Sequence, residues 1–182
     1  EQPKEEPLED VCIPVSAKSE KALKQYVEEW IAYIEEKEKK KEEFFDIRDV
    51  ASTLWNGRIE LIYRAAFVVK DFSQMKQYMK QYLAGEKNEM IYTGKVLLVG
   101  NTQTTEDNIS QRENSRAKQL AFDWVHGRKN EIEPVEEGYE PKKVPLPGYP
   151  FEKEEYWLYS KQSTAKRAEN IPEKQSEPEQ EK

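Results

Sequence analysis

Apolar residues follow two patterns along the first hundred positions: short continuous runs and longer stripes at helical spacing. The runs are VCIPVSA at 11–17, YRAAFVVK at 63–70 and EMIYTGKVLLV at 89–99. Short runs that contain β-branched residues are typical of strands. Pro14 removes one backbone donor, so the first strand is expected at a sheet edge. The pattern therefore predicts a small sheet built from these runs.

Between and after the runs, apolar residues recur every three or four positions, which predicts helices with one buried face. The stripes predict a helix over 20–39, a shorter one over 47–57, a third that ends near Ala84, and a fourth over 115–125. Short polar residues stand where N-caps are expected and glycines where helices should stop. The predicted caps are Ser19, Asp46 and Ser73, and the predicted stops are Gly57, Gly85 and Gly127.

The connections suggest how the strands pair. Two helices between the first and second strands favour an antiparallel pair, whereas one helix between the second and third suggests a parallel crossover. We predict an α/β (α+β) fold, a three-stranded sheet covered on one face by two or three helices, with an extended C-terminal aromatic strip and disordered ends. The predicted divisions are 1–10 and 160–182 as disordered linkers, 11–100 as the α/β domain, 101–127 as a polar insertion and helix, and 128–159 as an extended wrap-back segment.

Composition narrows the class of protein. Charged residues make up 36% of the 182 positions and the net charge is −7, which argues against a nucleic-acid surface. No apolar run approaches the roughly 20 residues of a membrane span, and we expect no signal peptide. The single cysteine fits a reducing cytoplasm. Because the chain begins with Glu1 and not Met, we expect it to be a piece of a longer protein.

The residue pattern offers little chemistry. His126 stands beside Gly127 at a predicted helix end, where capping is the simpler role. Cys12 lies inside an apolar strand, where thiols usually serve packing. The spacing of Cys and His fits no metal site, and no glycine-rich phosphate loop is present in the sequence. We therefore predict a non-catalytic protein without a cofactor or metal.

An aromatic strip remains unexplained by this polar composition. The sequence LPGYPFEKEEYWL at 146–158 contains four aromatic residues beyond the last predicted helix. Either the strip folds back over its own domain, or it lies on a surface that this chain does not contain. The four residues are Tyr149, Phe151, Tyr156 and Trp157.

Four stretches in the same order resemble one known family. IPVSAKSEKALKQYVEEWIAYIEE is similar to the strand and helix that follow the ketosynthase domain in modular polyketide synthases. DIRDVASTLWNGRIELIYRAAFVV resembles its continuation, with a short helix ending TLQxGR and a strand ending AFVV. IYTGKV resembles the family's YRGxV, and WVHG with LPGYPFEKEEYW resembles its WxxG and LPTYPFxxxxYW. Gly148 replaces the usual threonine of the last motif, and Trp55-Asn56-Gly57 replaces QxG.

The resemblance implies a role between enzymes. Fewer than sixty residues separate Gly94 from Tyr149, too few for an acyltransferase, so the chain resembles the linker, or acyltransferase-docking domain, of a trans-acyltransferase synthase. Such a linker is non-catalytic and positions the ketosynthase. In relatives the aromatic strip wraps back along the linker and onto the ketosynthase, so without that partner we expect residues 146–159 to be mobile or loosely packed.

Several alternatives stay open at this point. The acidic carrier protein or the free-standing acyltransferase is expected to dock, if at all, near Lys18, Lys21, Lys24 and Lys76, although ordinary solvated lysines are the simpler explanation. The polar stretch 101–116 is a hypothetical lateral contact between synthases. The domain is otherwise a purely structural cap of the ketosynthase, or part of an active site that a neighbouring domain completes.

Overall fold

The computed structural model describes residues 9–57, 59–97, 115–129 and 131–149. Within these ranges the predicted α+β class with a small three-stranded sheet is confirmed. No helix there is long and apolar enough to cross a membrane. In chain order the elements are β1 (Val11–Ala17), α1 (Glu20–Lys40), α2 (Ile47–Gly57), β2 (Tyr63–Val69), α3 (Phe72–Ala84), β3 (Ile91–Lys95) and α4 (Arg116–Val125).

The sheet has the strand order β1-β2-β3. β1 and β2 are antiparallel, as predicted, with Val11 opposite Val69 and Ala17 opposite Tyr63. β1 is an edge strand, which accommodates the missing backbone donor of Pro14.

The predicted parallel crossover between β2 and β3 is wrong, because this pair is also antiparallel. Tyr82, near the end of α3, packs edge-on against Phe67 in β2, with ring centroids 5.9 Å apart. The N–H of Val68 then donates to the carbonyl of Met90, just before β3. The chain therefore re-enters the sheet beside the part of β2 that it has just left, and runs back along it.

The first face of the sheet carries the larger core. Alternate residues of β1 and β2 point to this face, as the two-residue period of a strand requires. Three helices cover it, which confirms the predicted layer of two or three helices. Their largest fully buried side chains include Trp30 and Ile34 of α1, Leu54 of α2, and Met75 and Met79 of α3.

The second face is covered by α4, which the single predicted helical layer did not include. Cys12, Ala66 and Val68 point to this face and pack against α4. The close approach depends on Gly94 in β3, because a Cβ built there would lie 2.2 Å from the carbonyl oxygen of Val125. Both faces of β1 and β2 are therefore buried, although the helix responsible lies outside the predicted 11–100 domain.

α3 begins two residues earlier than predicted. Its N-cap is Asp71 and not Ser73, and the Asp71 carboxylate accepts from the backbone N–H of Gln74 at 2.8 Å. The earlier start places Phe72 in the first turn, where it is buried and stacks on Phe44 with centroids 4.5 Å apart. Asp71 and Ser73 are both good N-cap residues, and the packing of Phe72 favours the earlier start at Asp71.

Candidate partner interface

Residues 131–149, the main described part of the wrap-back segment, return along α2 and are fastened there by polar contacts. Asp49, in the first turn of α2, is only 7% exposed. Its Oδ1 accepts from the Tyr139 hydroxyl at 2.9 Å and from the backbone N–H of Lys142 at 2.8 Å. One buried carboxylate thus holds the segment at two points three residues apart.

Arg48, the neighbour of Asp49, strengthens the same contact. Its guanidinium donates to both carboxylate oxygens of Asp46, at 2.9 and 2.6 Å, and also to Glu136 at 2.5 Å. The Arg48 carbon Cζ lies 3.9 Å from the centre of the Tyr139 ring. These hydrogen bonds lower the pKa of Asp46 below its ordinary value, the side-chain bond from Arg48 contributing most.

Two further points continue the attachment along the segment. The N–H of Val144 donates to Oγ1 of Thr53 at 3.2 Å, and the Val144 side chain enters the larger core. Before it, Arg116 of α4 donates to the carbonyl oxygen of Val135 at 2.8 Å. Arg48, Asp49 and Thr53 of α2 therefore form the surface, called the α2 cradle, to which the returning segment binds.

The aromatic strip starts where this cradle ends. Tyr149 is half-buried, and its hydroxyl accepts from the backbone N–H of Lys18 at 3.1 Å. Its ring meets Tyr26 edge-on at 5.9 Å. Of the four aromatic residues predicted to face a partner, Tyr149 is thus placed against its own domain. The other three, Phe151, Tyr156 and Trp157, lie outside the described residues, and so does most of the stretch expected to be loosely packed.

A cleft of about 360 Å³ opens beside Tyr149, at the edge formed by β1 and the α2–β2 connection. Its lining is mostly apolar and includes Val15, Leu54, Leu61 and Trp124. Ile59 stands on the rim with 80% of its surface exposed. An apolar cleft of this size is a candidate binding site for another group.

The rim of this cleft is braced. Ser16 Oγ donates to the carbonyl of Ile59 at 3.2 Å and accepts from the N–H of Leu61 at 3.1 Å. Arg64, which is 3% exposed, donates to the carbonyl of Leu61 at 3.0 Å and to Glu60 at 3.1 Å. The α2–β2 connection that contains Ile59 is therefore held by hydrogen bonds from both β1 and β2.

The four predicted lysines do not form one surface. Lys18, Lys21 and Lys24 are exposed around the start of α1, where Lys24 pairs with Glu20 at 3.1 Å. Lys76 lies on α3 and pairs with Glu38, near the other end of α1. Eighteen residues separate the two glutamates, which corresponds to roughly 27 Å along a helix.

Cys12 and His126 occupy structural positions. Cys12 is fully buried, which raises the pKa of its thiol well above the ordinary value, and its backbone carbonyl accepts from Trp55 Nε1 at 3.0 Å. His126 follows α4, where its Nδ1 lies 2.7 Å from the carbonyl oxygen of Phe122 and donates to it. In the ranges described, no group of three His, Cys, Asp or Glu side chains gathers where it could hold a metal ion.

Sequence reasoning missed the α2 cradle. The apolar stripe over 47–57 predicted one buried face, and Ile47, Val50, Ala51 and Leu54 are indeed buried. The pattern gave no role to the polar residues between them. The only signal in the sequence was the position of Arg48, Asp49 and Thr53, which lie outside the apolar stripe of the amphipathic helix α2. The partners of these residues lie about 90 positions later in the chain, so they were not visible as a local motif.

Comparison with known proteins identifies the class. Residues 15–86 match the family model described as "RhiE-like, KS-MAT linker domain". Polyketide synthase PksN of Bacillus subtilis (strain 168) is 30% identical over 155 residues, 80% of this chain and 3% of that protein. Polyketide synthase PksM of the same organism is 26% identical over 155 residues, 82% of this chain and 4% of that protein.

A solved structure contains the same fold. The ketosynthase from module 6 of the bacillaene synthase of Bacillus subtilis 168 matches with a TM-score of 0.67 and 28% identity. The match covers 84% of this chain and 29% of that chain.

The fold is therefore that of a linker domain of polyketide synthases, of the kind that lies next to a ketosynthase. More specifically, residues 15–86 carry the linker that this family model describes, and the resemblance to a ketosynthase linker of polyketide synthases drawn from the sequence motifs is confirmed. It spans only about 3–4% of the two synthases named here.

Proposed function

We propose that this domain is a non-catalytic spacer that sets the position of an adjacent ketosynthase, and that the aromatic strip is the element that grips it. The observation that carries the proposal is the fastening of residues 131–149 along α2. It fixes the position of Tyr149, the last described residue of the segment, beside the exposed Ile59 and the apolar cleft.

The physical reason is preorganisation. Pro145 and Pro147 favour an extended backbone at little entropic cost, and Val144 anchors that stretch in the core. A strip whose first residues are already placed loses less freedom when its later residues bind. Tyr156 and Trp157 then supply large contact areas with few rotatable bonds.

Chemistry by the domain itself is not part of this proposal. Cys12 has no exposed surface for a substrate to reach, and His126 is engaged at a helix end. These placements argue against the alternative that either residue completes a neighbouring active site. A reduced, buried thiol also fits the cytoplasmic location that we propose.

The test uses a chain that joins the parent ketosynthase to this domain through a protease site, cut after folding. We expect the two pieces to co-elute. The double variant Tyr156→Ala/Trp157→Ala should weaken the affinity by at least about a hundredfold, because each large side chain contributes roughly 1.5–3 kcal/mol when buried. Glu154→Ala/Glu155→Ala is the matched control in the same strip and should stay within threefold. Unchanged affinity of the aromatic variant would remove the gripping role.

Docking of a carrier protein or a free-standing acyltransferase is a weaker extension of this function. Its support is limited to the exposure of Lys18, Lys21 and Lys24 around one end of α1. The groove lined by Lys21 and Lys24 is also lined by Glu20 and Glu28, so its charge is mixed. Titration of the same cut complex with each partner separates a docking platform from a purely structural cap, since a cap gives no amide shifts at these lysines.

A further inference from the structure

The sheet has two edge strands, β1 and β3, and the outer edge of β1 is closed. The carbonyl of Cys12 accepts from Trp55 Nε1 at 3.0 Å, and the N–H of Lys18 donates to the Tyr149 hydroxyl at 3.1 Å. Pro14, between them in the same alternation, has no N–H to donate. Proteins close an edge in such ways because an open edge pairs with other strands.

The outer edge of β3 carries the backbone groups of Ile91, Thr93 and Lys95. The N–H of Val96 donates to the carbonyl of Ile62, just before β2, at 2.8 Å, and such bonds recur at every second residue of an antiparallel pair. The even-numbered residues of β3 therefore face β2, and the odd-numbered ones face outward. Within the described residues, no hydrogen bond reaches Thr93 or Lys95 from the outer side.

The side chains along this edge leave it open. A lysine on an edge strand normally guards it, but Lys95 leans over the neighbouring strand, with Nζ 5.1 Å from the centre of the Tyr63 ring. The N–H of Ile91 donates to the carbonyl of Asn88 at 3.1 Å, which closes only the first position. Thr93 is exposed. Its donor and acceptor, and those of Lys95, are therefore accessible to another strand.

Basic side chains lie beside this edge. The turn after α4 packs against the end of β3, since a Cβ built on Gly127 would lie 2.6 Å from a methyl group of Val96. Arg128 and Lys129 follow in the chain, and Lys129 is exposed. Asp123 lies 4.0 Å from Arg128 but is only 9% exposed. The charges that this turn presents to solvent are therefore basic, in a chain whose net charge is −7.

These charges select the kind of partner. In a symmetric dimer each surface meets its own copy, so pairing of two β3 edges would bring the Lys95 and Lys129 side chains of both chains near one another. An acidic strand meets the same side chains with opposite charge. Glu89 precedes β3 at its other end, so the acidic residues of that strand belong beside Lys95. Leu97, which is 73% exposed, adds apolar surface at this end.

We propose that the outer edge of β3 receives an extended acidic segment of a partner protein by strand addition. The backbone groups of Thr93 and Lys95 bond to its backbone, and Lys95 and Lys129 pair with its acidic side chains. The proposal goes beyond the spacing of a ketosynthase, because it uses the sheet edge opposite to β1, where Tyr149 is attached. The two can therefore fail separately.

The test titrates the full 182-residue chain with a blocked heptapeptide of sequence EVEVTVT, followed by NMR. We expect amide shifts and slowed hydrogen exchange at Thr93 and Lys95. The peptide is also made N-methylated on alternate residues, in two forms. Only one set of its N–H groups faces β3, so one form should lose binding and the other should keep it.

Charge is tested on the protein and on the peptide. Lys95→Glu/Lys129→Glu should weaken the affinity at least about tenfold, and so should the peptide KVKVTVT. Lys21→Glu/Lys143→Glu, with the same change of net charge at two other exposed lysines, is the matched control and should stay within threefold.

Three results would overturn the proposal. One is the absence of shifts at Thr93 and Lys95 with millimolar peptide. Another is equal binding of both N-methylated forms, because the attraction would then be one of charge without strand pairing. The third is the same shifts on concentrating the chain without peptide, because the occupant would then be a second copy. No ketosynthase is present in this experiment, so its outcome is independent of the cut complex.

Discussion

Two contacts between elements of the described residues depend on charged side chains, and the two contacts differ in what holds them. Between α1 and α3, Lys76 pairs with Glu38 at 2.5 Å, across side chains that are 23% and 40% exposed. Between α2 and the wrap-back segment, Asp49 is only 7% exposed and accepts two hydrogen bonds. The first pair lies at the surface, whereas the second contact is shielded from solvent.

The difference follows from what surrounds each contact. α1 and α3 meet through Trp30, Ile34, Met75 and Met79, all of which are fully buried, so their ion pairs add to a contact that apolar packing already secures. The wrap-back segment has fewer anchors of this kind, among them Val135 and Val144. It therefore depends on polar groups, and the residues that attach it are also those that aim the aromatic strip. Mutations at the two places should separate these roles.

The largest effect is expected for Asp49→Ala. The change removes a buried acceptor and leaves the Tyr139 hydroxyl and the Lys142 N–H without their partner. Hydrogen bonds to charged groups contribute about 1.5–3 kcal/mol each, so the free energy of unfolding should fall by about 3 kcal/mol or more. Urea denaturation measures the loss, and hydrogen exchange should accelerate at the amides of Lys142 and Val144.

Asp49→Asn is the matched variant, because it keeps one acceptor oxygen at the same place. It should retain a substantial part of the stability and of the amide protection. Equal stability of Asp49→Ala and the unchanged chain would mean that the apolar anchors alone hold the segment, and the contrast drawn above would disappear.

The second-largest effect is a loss of stability at high pH, which the ionisation of Tyr139 causes. Burial, and then the hydrogen bond to Asp49, raise the pKa of Tyr139 to about 12. Because this pKa exceeds the ordinary value of about 10, the stabilisation is fully present below pH 10 and is lost as the pH rises through 12. Phenolate absorbance, measured as the difference between the unchanged chain and Tyr139→Phe, should show this late titration.

Asp49→Asn should move the pKa of Tyr139 part of the way back toward 10, since burial remains. A Tyr139 that titrates near 10 in the unchanged chain would show that its hydroxyl is open to water and that the attachment is loose.

The same contrast explains what the sequence could predict. Apolar stripes specify elements that bury one face locally, so α1, α2 and β1 were placed almost to the residue. The cap of α3 was misplaced because Asp71 and Ser73 are equivalent by local rules, and only the packing of Phe72 distinguishes them. The direction of β3 depends on where α3 ends over the sheet, which no local pattern encodes.

Only part of the candidate interface could be predicted from the sequence, for a related reason. The aromatic strip stands out in a polar sequence, so its residues could be named in advance. Its attachment is made by single polar residues of α2 whose partners are about 90 positions away. Such pairs leave no periodic signal, and an exposed Asp and a buried Asp are identical in sequence. Solvent exposure, which decides the energetic value of a charge, has to be read from the fold.

The smallest effect is expected at the α1–α3 contact. Lys76→Ala and Glu38→Ala, combined in a double-mutant cycle, should give a coupling energy under about 0.5 kcal/mol, because a pair near the surface loses in solvation and side-chain entropy most of what it gains by attraction. That coupling should fall further at 1 M salt, where charges are screened within about 3 Å. The corresponding cycle of Asp49→Ala with Tyr139→Phe should give a clearly larger value that salt hardly changes. If the surface pair proved the stronger of the two, α1 and α3 would need their charges to meet, and the attachment of the wrap-back segment would be the weaker element of the domain.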